Sequence, residues 1–300
     1  MKRQPGRSTR PQAYRPALSS LMAIEFLLNK QNPDGGWPYL HGGSWTEPTV
    51  YAVLALLAAG ETARWKRGVA WVLRTRRSDG GWASRPGVGE SSWVTALAAL
   101  IPEERLGEAA HARAIEWLLP VEGEETTALY RLRQWMLGSS NSTDRKNSGW
   151  PWTPGASAWV GPTAMAVVAL ESEGKRRPSA RVATRAQAGR NFLMAHMCHE
   201  GGWNHGATDA WRYDAPPYPE TTGMALLAMD RIRSPGMERA LSTGRKFLAE
   251  TRSADAQNWL RLGLAAQGEL PQGYAPPEGI AYRTVPEVAL SHITALGGLA

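Results

Sequence analysis

The stretch Asp34-Gly35-Gly36-Trp37 decides the fold, because the chain repeats it. Gly-Gly-Trp recurs at Gly80-Gly81-Trp82 and Gly201-Gly202-Trp203, and a degenerate copy reads Ser148-Gly149-Trp150. Each copy sits in the same frame. An apolar helical stretch precedes it, and a second apolar stretch, usually opening on Glu, follows about ten to seventeen residues later. Self-similarity of this kind marks a fold assembled from helix pairs that cannot bury their apolar faces alone. The backbone explains the phrase itself. A helix ending at Gly turns through the left-handed region without a Cβ penalty, and a second Gly allows a neighbouring element to approach closely. The Trp is then placed to cover the helix end, whose last carbonyls need partners. Asp34 and Asp79 ahead of the glycines favour the turn. The phrase therefore reads first as a staple between helices, and only second as a ligand contact.

Outward from these joints the apolar runs are of two kinds. Residues 18–30, 62–76, 108–119, 180–198 and 237–252 are amphipathic; in 62–76, Trp65, Val69, Val72 and Leu73 share one face against Arg64, Lys66, Arg67 and Arg74 on the other. Residues 49–59, 92–101, 126–137, 162–171, 221–229 and 256–266 are apolar nearly all round, which predicts burial. Alternation of the two kinds predicts two concentric layers: an all-α, α/α toroid close to an (α/α)6 barrel, with inner helices wrapped by outer ones. Residues 139–144 carry turn chemistry and read as a long loop. The run 285–296 is expected to be a helix that supplies the missing outer partner.

Composition bounds the function. Apolar residues make up 43% of the 300, enough for a sizeable core, and 14 Trp against 3 Phe suggest stacking sites at helix ends or around a cavity. The net charge is +7, but Lys2, Arg3, Arg7, Arg10 and Arg15 stand in residues 1–16 with no acid, leaving a body near neutrality. The expected organisation is a basic flexible tail, 1–16, and one toroid domain, 17–300. Such a tail suits anionic lipid, hence peripheral membrane contact, but no aromatic interleaving or nucleic-acid fold signature accompanies it, so nucleic acid is not expected as a partner. No apolar run reaches the ~20 uncharged residues of a membrane span. One cysteine, Cys198, rules out an internal disulfide framework and fits a reducing compartment. With no signal peptide apparent, the expectation is a soluble, cytoplasmic protein. His196, Cys198, His199 and His205 match no standard zinc spacing, so neither metal nor cofactor is expected.

The strongest local signal beyond the repeat is an acid at the head of the inner runs. Glu47, Glu90, Glu125 and Glu220 each stand just before Thr or Ser (or one residue further on) and an apolar run, and Asp255 begins the last one similarly. Acids favour helix N-termini on stability grounds alone. In a toroid, however, the inner N-termini face one end, so these carboxylates would converge at one opening and raise each other's pKa. The loop before 221–229 is rich in Trp203, His205, Trp211, Tyr213, Asp214, Tyr218 and Glu220, with Trp45 and Trp152 approaching from neighbouring sectors. Long loops with aromatic and titratable residues are where binding concentrates, although the same side chains also serve as a packed cap.

Phe26-Leu27 followed at fixed spacing by Gln31, Gly35 and Trp37 resembles the QW repeat of squalene–hopene and oxidosqualene cyclases. Phe192-Leu193 with Met197, Gly201 and Trp203, and Trp71-Val72 with Arg76, Gly80 and Trp82, keep the spacing but replace Gln. The resemblance covers most of residues 17–267. It implies the toroid shared by terpenoid cyclases and protein prenyltransferase β subunits, and an apolar, isoprenoid-type ligand. The chain departs from those relatives in activity motifs: it has no Asp-x-Asp-Asp acid, no Asp-x-Cys zinc pair and no Asp-Asp-x-x-Asp run. Under this resemblance Glu220 or Glu47 would act as acid, His205 and Asp214 as polar partners, and Trp45, Glu90, Glu125, Trp152, Trp203, Trp211, Tyr213 and Tyr218 would line the ligand. The alternatives are a non-catalytic binding toroid and a carbohydrate-active toroid using paired carboxylates.

Overall fold

The computed structural model describes residues 20–61, 63–137, 145–206, 209–210, 213–229, 231, 234–272, 274–296 and 298. The fold is an all-α toroid. Its inner ring is α2 (Thr46–Ala58), α4 (Val94–Ala98), α8 (Val160–Arg176), α10 (Pro219–Ala228), α12 (Ala254–Ala266) and α13 (Val285–Ala295), each packed on the next, and α13 packs back on α2 to close the circle. Outside it lie α1 (Ser20–Lys30) against α13 and α2, α3 (Ala63–Thr75) on α2, α6 (Glu108–Leu118) on α4 and α8, α9 (Ala180–Ala195) on α8, and α11 (Pro235–Glu250) on α10 and α12. A short α5 (Glu103–Leu106) bridges toward α3. No helix among the described residues is long and apolar enough to cross a membrane.

The layers follow the pattern of the sequence with two corrections. Residues 126–137 were expected inside the barrel. They form α7 (Ala128–Met136), which lies on the surface, with Leu129, Trp135 and Met136 all more than 70% exposed. The reason is readable in retrospect: Leu129, Leu132, Trp135 and Met136 repeat at helical spacing while Arg131 and Arg133 interrupt them, so the run is amphipathic and not apolar all round. Conversely, 285–296 was expected in the outer layer and α13 is an inner helix, with Val285, Val288, Ala289, Leu290 and Ile293 buried. It follows α12 with no outer helix between them among the described residues.

The four Trp joints share one hydrogen-bonding scheme. Each indole N–H donates to a carbonyl in the last turns of the preceding outer helix: Trp37 to Leu27 at 2.7 Å, Trp82 to Val72 at 2.7 Å, Trp150 to Leu118 at 2.9 Å, Trp203 to Leu193 at 2.6 Å. Each Trp backbone N–H donates to a buried threonine hydroxyl in the first turns of the following inner helix: Thr49, Thr95, Thr163 and Thr222, at 2.8–3.0 Å. All four Trp are buried, so each staple works away from competing water, where a lost partner costs most. The first glycine ties in the next outer helix. At Gly35, with φ +93°, an added Cβ would come within 2.7 Å of the Arg67 carbonyl on α3. At the degenerate third joint Arg185 of α9 serves instead, stacking on Trp150 and donating to the carbonyls of Ser148, Gly149 and Val121. Burial pushes the Arg185 pKa down to about 10, so it stays charged near neutrality.

Candidate functional site

The inner helices present their N-termini at one end of the barrel, and a belt of backbone bonds joins those ends. The carbonyl two residues after each stapling Trp accepts an N–H from the start of the neighbouring inner helix. Ser84 accepts from Thr46, Trp152 from Trp93, His205 from Val160, and Tyr39 from Val285, at 2.8–3.2 Å. Helix N-termini leave orphan donors, and the belt gives one in each of these helices a partner. It also fixes which side chains surround the mouth: Tyr39, Ser84, Trp152 and His205 from the belt, alternating with the residues that precede the inner helices.

Those preceding residues are aromatic at every stapled joint: Trp45 before α2, Trp93 before α4, Trp159 before α8 and Tyr218 before α10. None makes a side-chain cap bond. Ser, Thr, Asp or Asn would stabilise these helix starts by about 1 kcal/mol, so aromatics here give up a stabilising contact. Trp93, Trp159 and Tyr218 instead join Trp152 and His205 in a row of edge-on and tilted rings. Trp93 meets Trp152 at 4.9 Å between ring centroids, Trp152 meets Trp159 at 6.4 Å, Trp159 meets His205 at 5.4 Å, and His205 meets Tyr218 at 5.2 Å. On the other side Tyr39 lies edge-on to Trp45 at 5.5 Å, and Arg85 sits over Trp45. The row is open to solvent: Trp152 and Trp159 are each 37% exposed and Tyr218 41%.

Acids stand beside this row. Glu47 and Tyr51 are one turn apart on α2, and Asp255 and Trp259 one turn apart on α12; the Tyr51 and Trp259 rings meet edge to face at 6.1 Å, facing the two pairs across the mouth. Glu47 is half-buried and accepts a short hydrogen bond from the Tyr39 hydroxyl. Burial, with repulsion from Asp255, pushes the Glu47 pKa up to about 7 despite the Tyr39 bond, which lowers it. Burial also pushes Asp255 up to about 6, with the charges of Glu220 and Glu287 adding to it. Below them Tyr51 is fully buried, and its hydroxyl has no hydrogen-bond partner among the described residues. Burial and the charges of Glu47 and Asp255 hold it far above the ordinary phenol range. The arrangement offers a neutral carboxylic acid near pH 7 beside a second carboxyl and a cation-tolerant aromatic wall.

The residues singled out from the sequence separate accordingly. Glu47 and Glu220 lie with Asp255 at the mouth, and Trp45, Trp152, His205 and Tyr218 form its rim. Trp203 does not belong with them: it is wholly buried as the fourth staple, its N–H committed to Leu193, so it cannot wall a ligand. Glu90 is exposed on the turn before α4. Glu125 sits in the 3₁₀ turn Glu124–Thr126 and accepts the Ala158 N–H, bracing the rim strand Ala158–Trp159. Trp211 lies outside the described residues, while Tyr213 and Asp214 are described only as the backbone of a short strand paired with Asp209–Ala210. Sequence reasoning missed Tyr39, Tyr51, Trp93 and Glu287. For Trp93 the available signal was an aromatic residue where a helix cap is expected, and for Glu287 the Thr284-x-x-Glu287 capping box.

Comparison with known proteins places the fold. No known protein-family profile matches the chain. A stretch of 67 residues, 21% of the chain, is 40% identical to drimenyl diphosphate synthase from Streptantibioticus cattleyicolor, but it spans only 12% of that protein. An α-amylase from Clostridium perfringens superposes with a TM-score of 0.60 at 10% identity, covering 93% of this chain and 97% of that one. A family 8 endoglucanase from Klebsiella pneumoniae gives 0.56 at 14% identity, over 91% and 98%. A type II terpene cyclase from Scytonema, solved with geranylgeranyl dihydroxybenzoate, gives 0.52 at 18% identity, over 93% of this chain and 76% of that one. At these identities the likeness establishes the α/α toroid that terpene cyclases and glycosidases have in common.

Proposed function

We propose that the mouth receives an apolar, isoprenoid-type ligand, with Glu47 as its proton donor and the aromatic row as its wall. The observation that carries this reading is the placement of Glu47, in the first turn of an inner helix at the barrel mouth, held by the Tyr39 hydroxyl and facing Asp255. In protonating an alkene, the π pair forms the new C–H bond with the Glu47 proton, the carboxylate is left behind, and positive charge develops on the other alkene carbon. Indole faces stabilise such charge. Asp255 and Glu220 supply neighbouring charge, and His205 closes the rim between Trp159 and Tyr218. Asp214, Trp211 and Tyr213 join the proposal from their place in the loop sequence alone. The local identity to drimenyl diphosphate synthase supports this reading.

A second reading, a carbohydrate-active toroid, is favoured by one specific observation. The aromatic row is solvent-open, and an acid with a pKa near 7 suits protonation of a glycosidic oxygen better than of an alkene. Intrinsic tryptophan fluorescence titrated with geranylgeraniol, and in parallel with cello- and malto-oligosaccharides, separates the two. Saturable quenching by the isoprenoid alcohol, weakened about tenfold or more in Trp152→Ala, supports the first reading. A response to the oligosaccharides alone transfers the site to the second, and no response to either removes both.

Peripheral membrane contact belongs to the same proposal and is supported by α7. Its exposed Leu129, Leu132, Trp135 and Met136 form an apolar face of the kind that settles into a lipid interface, and Arg133 beside them suits anionic headgroups. Flotation with phosphatidylglycerol vesicles should carry the wild type and leave Leu132→Glu behind; equal flotation of both would remove α7 from this role.

A further inference from the structure

The barrel has a second end. Where the inner helices terminate, a cavity of about 680 Å³ opens among α8, α10, α12 and the residues after α13. This is within the ~300–1,000 Å³ range of small-molecule sites. Its apolar lining comes from Val168 on α8, Leu227 on α10, and Leu262 and Ala265 on α12, while Lys175 and Arg231 stand at its edge.

Charge decides what such a space would hold. Helix C-termini carry partial negative charge and would ordinarily repel an anion. Here the last carbonyls of two inner helices are already answered. The Gln267 amide donates to the carbonyls of Leu226 and Met229 at the end of α10, and Arg231 Nε donates to the Ala266 carbonyl of α12 at 3.4 Å. The one lining carboxylate among the described residues, Glu171, is ion-paired with Arg190 outside the cavity. Arg176 at the wall is tied to Glu173 and Glu103. Lys175 is different: it is exposed, and no carboxylate lies within ion-pair distance of it among the described residues. The cavity thus pairs an apolar body with an edge at which the Lys175 ammonium has no ion pair among the described residues.

We infer that this end of the barrel is a second binding site, for an amphiphilic anion whose apolar body packs on Val168, Leu227 and Leu262 and whose phosphate- or carboxylate-type head lies against Lys175. The site is independent of the mouth. Its aromatics, acids and helix N-termini are all at the other end, so failure of one assignment leaves the other standing.

Isothermal titration calorimetry with decyl phosphate, held below its micelle concentration, tests the assignment, with decanol and inorganic phosphate as the two half-ligands. Wild type should bind decyl phosphate saturably and at least about tenfold more tightly than either half-ligand. Lys175→Glu should weaken binding by about tenfold or more, since it converts an attraction into a repulsion. Ala265→Trp, at an exposed position, should block binding by filling the space, with circular dichroism and melting temperature confirming that both variants fold. Trp152→Ala at the mouth should bind decyl phosphate as wild type does. Absence of binding, equal affinity for decanol, indifference to both Lys175→Glu and Ala265→Trp, or loss in Trp152→Ala would each overturn the inference. Decanoate in place of decyl phosphate distinguishes a carboxylate head from a phosphate one.

Discussion

Two groups of aromatic residues a few positions apart along the chain do opposite work. Trp37, Trp82, Trp150 and Trp203 are buried, each with its N–H on an outer-helix carbonyl and its backbone on an inner-helix threonine. Trp45, Trp93, Trp159 and Tyr218 precede the same inner helices and lack capping bonds; the last three meet Trp152 and His205 edge-on or tilted in a half-open row, and Trp45 meets Tyr39. The difference teaches that abundance of tryptophan is not one signal. A buried indole with a satisfied donor contributes to stability, whereas a helix start given up to an indole points to something the helix start is meant to meet.

The comparison breaks most readily at a staple. Trp82→Ala should destabilise the fold by about 3–5 kcal/mol, read as a shift in the urea midpoint, because it leaves a large cavity and frees the Val72 carbonyl. A loss below about 1 kcal/mol would show that the buried tryptophans do not hold the layers together. Thr95→Val keeps shape but strands the Trp82 backbone N–H, and should cost about 1–3 kcal/mol by the same measurement. A neutral result would remove the threonine from the scheme.

A smaller effect, and one with a pH signature, belongs to the mouth. The folded Glu47 holds its proton to about pH 7, while the unfolded chain releases it near 4.5. Between those values unfolding releases a proton, so stability falls as pH rises through that window and levels off above it. Asp255 adds the same sign between 3.8 and about 6. Glu47→Gln should therefore raise the melting temperature relative to wild type more at pH 8 than at pH 4. A pH-independent difference would mean that Glu47 titrates normally. The smallest effect should come from Trp159→Ala, whose side chain is 37% exposed and whose loss should cost less than about 1 kcal/mol. A penalty like that of Trp82→Ala would erase the distinction between the two groups.

How far the sequence could be read follows the same division. Period and backbone chemistry are local, so the joints, the layers and the indole over the helix end were legible from Gly-Gly-Trp and its flanks. The threonine partners were not, since Thr49, Thr95, Thr163 and Thr222 look like ordinary helix residues until the tertiary bond is seen. The apolar content of residues 126–137 masks their amphipathic spacing, and Trp203 belongs both to a Gly-Gly-Trp joint and to an aromatic loop, so its burial is not decided by its neighbours in the chain. Glu47 and Glu220 were accessible because helix heads in a toroid share an end. Which acids meet was not accessible, because it depends on the order of helices around the ring, with α13 between α12 and α2.

That placement of α13 has its own consequence. The Val285 N–H donates to the carbonyl of Tyr39 at 2.8 Å, and the Tyr39 hydroxyl donates to Glu47. The circle is thus completed by a non-covalent clasp whose two halves lie some 245 positions apart in the chain. The acid's principal donor is positioned by the clasp itself. Should the last inner helix detach, the proton on Glu47 would lose its shelter together with the ring, so the chemistry of the mouth reports whether the circle is shut.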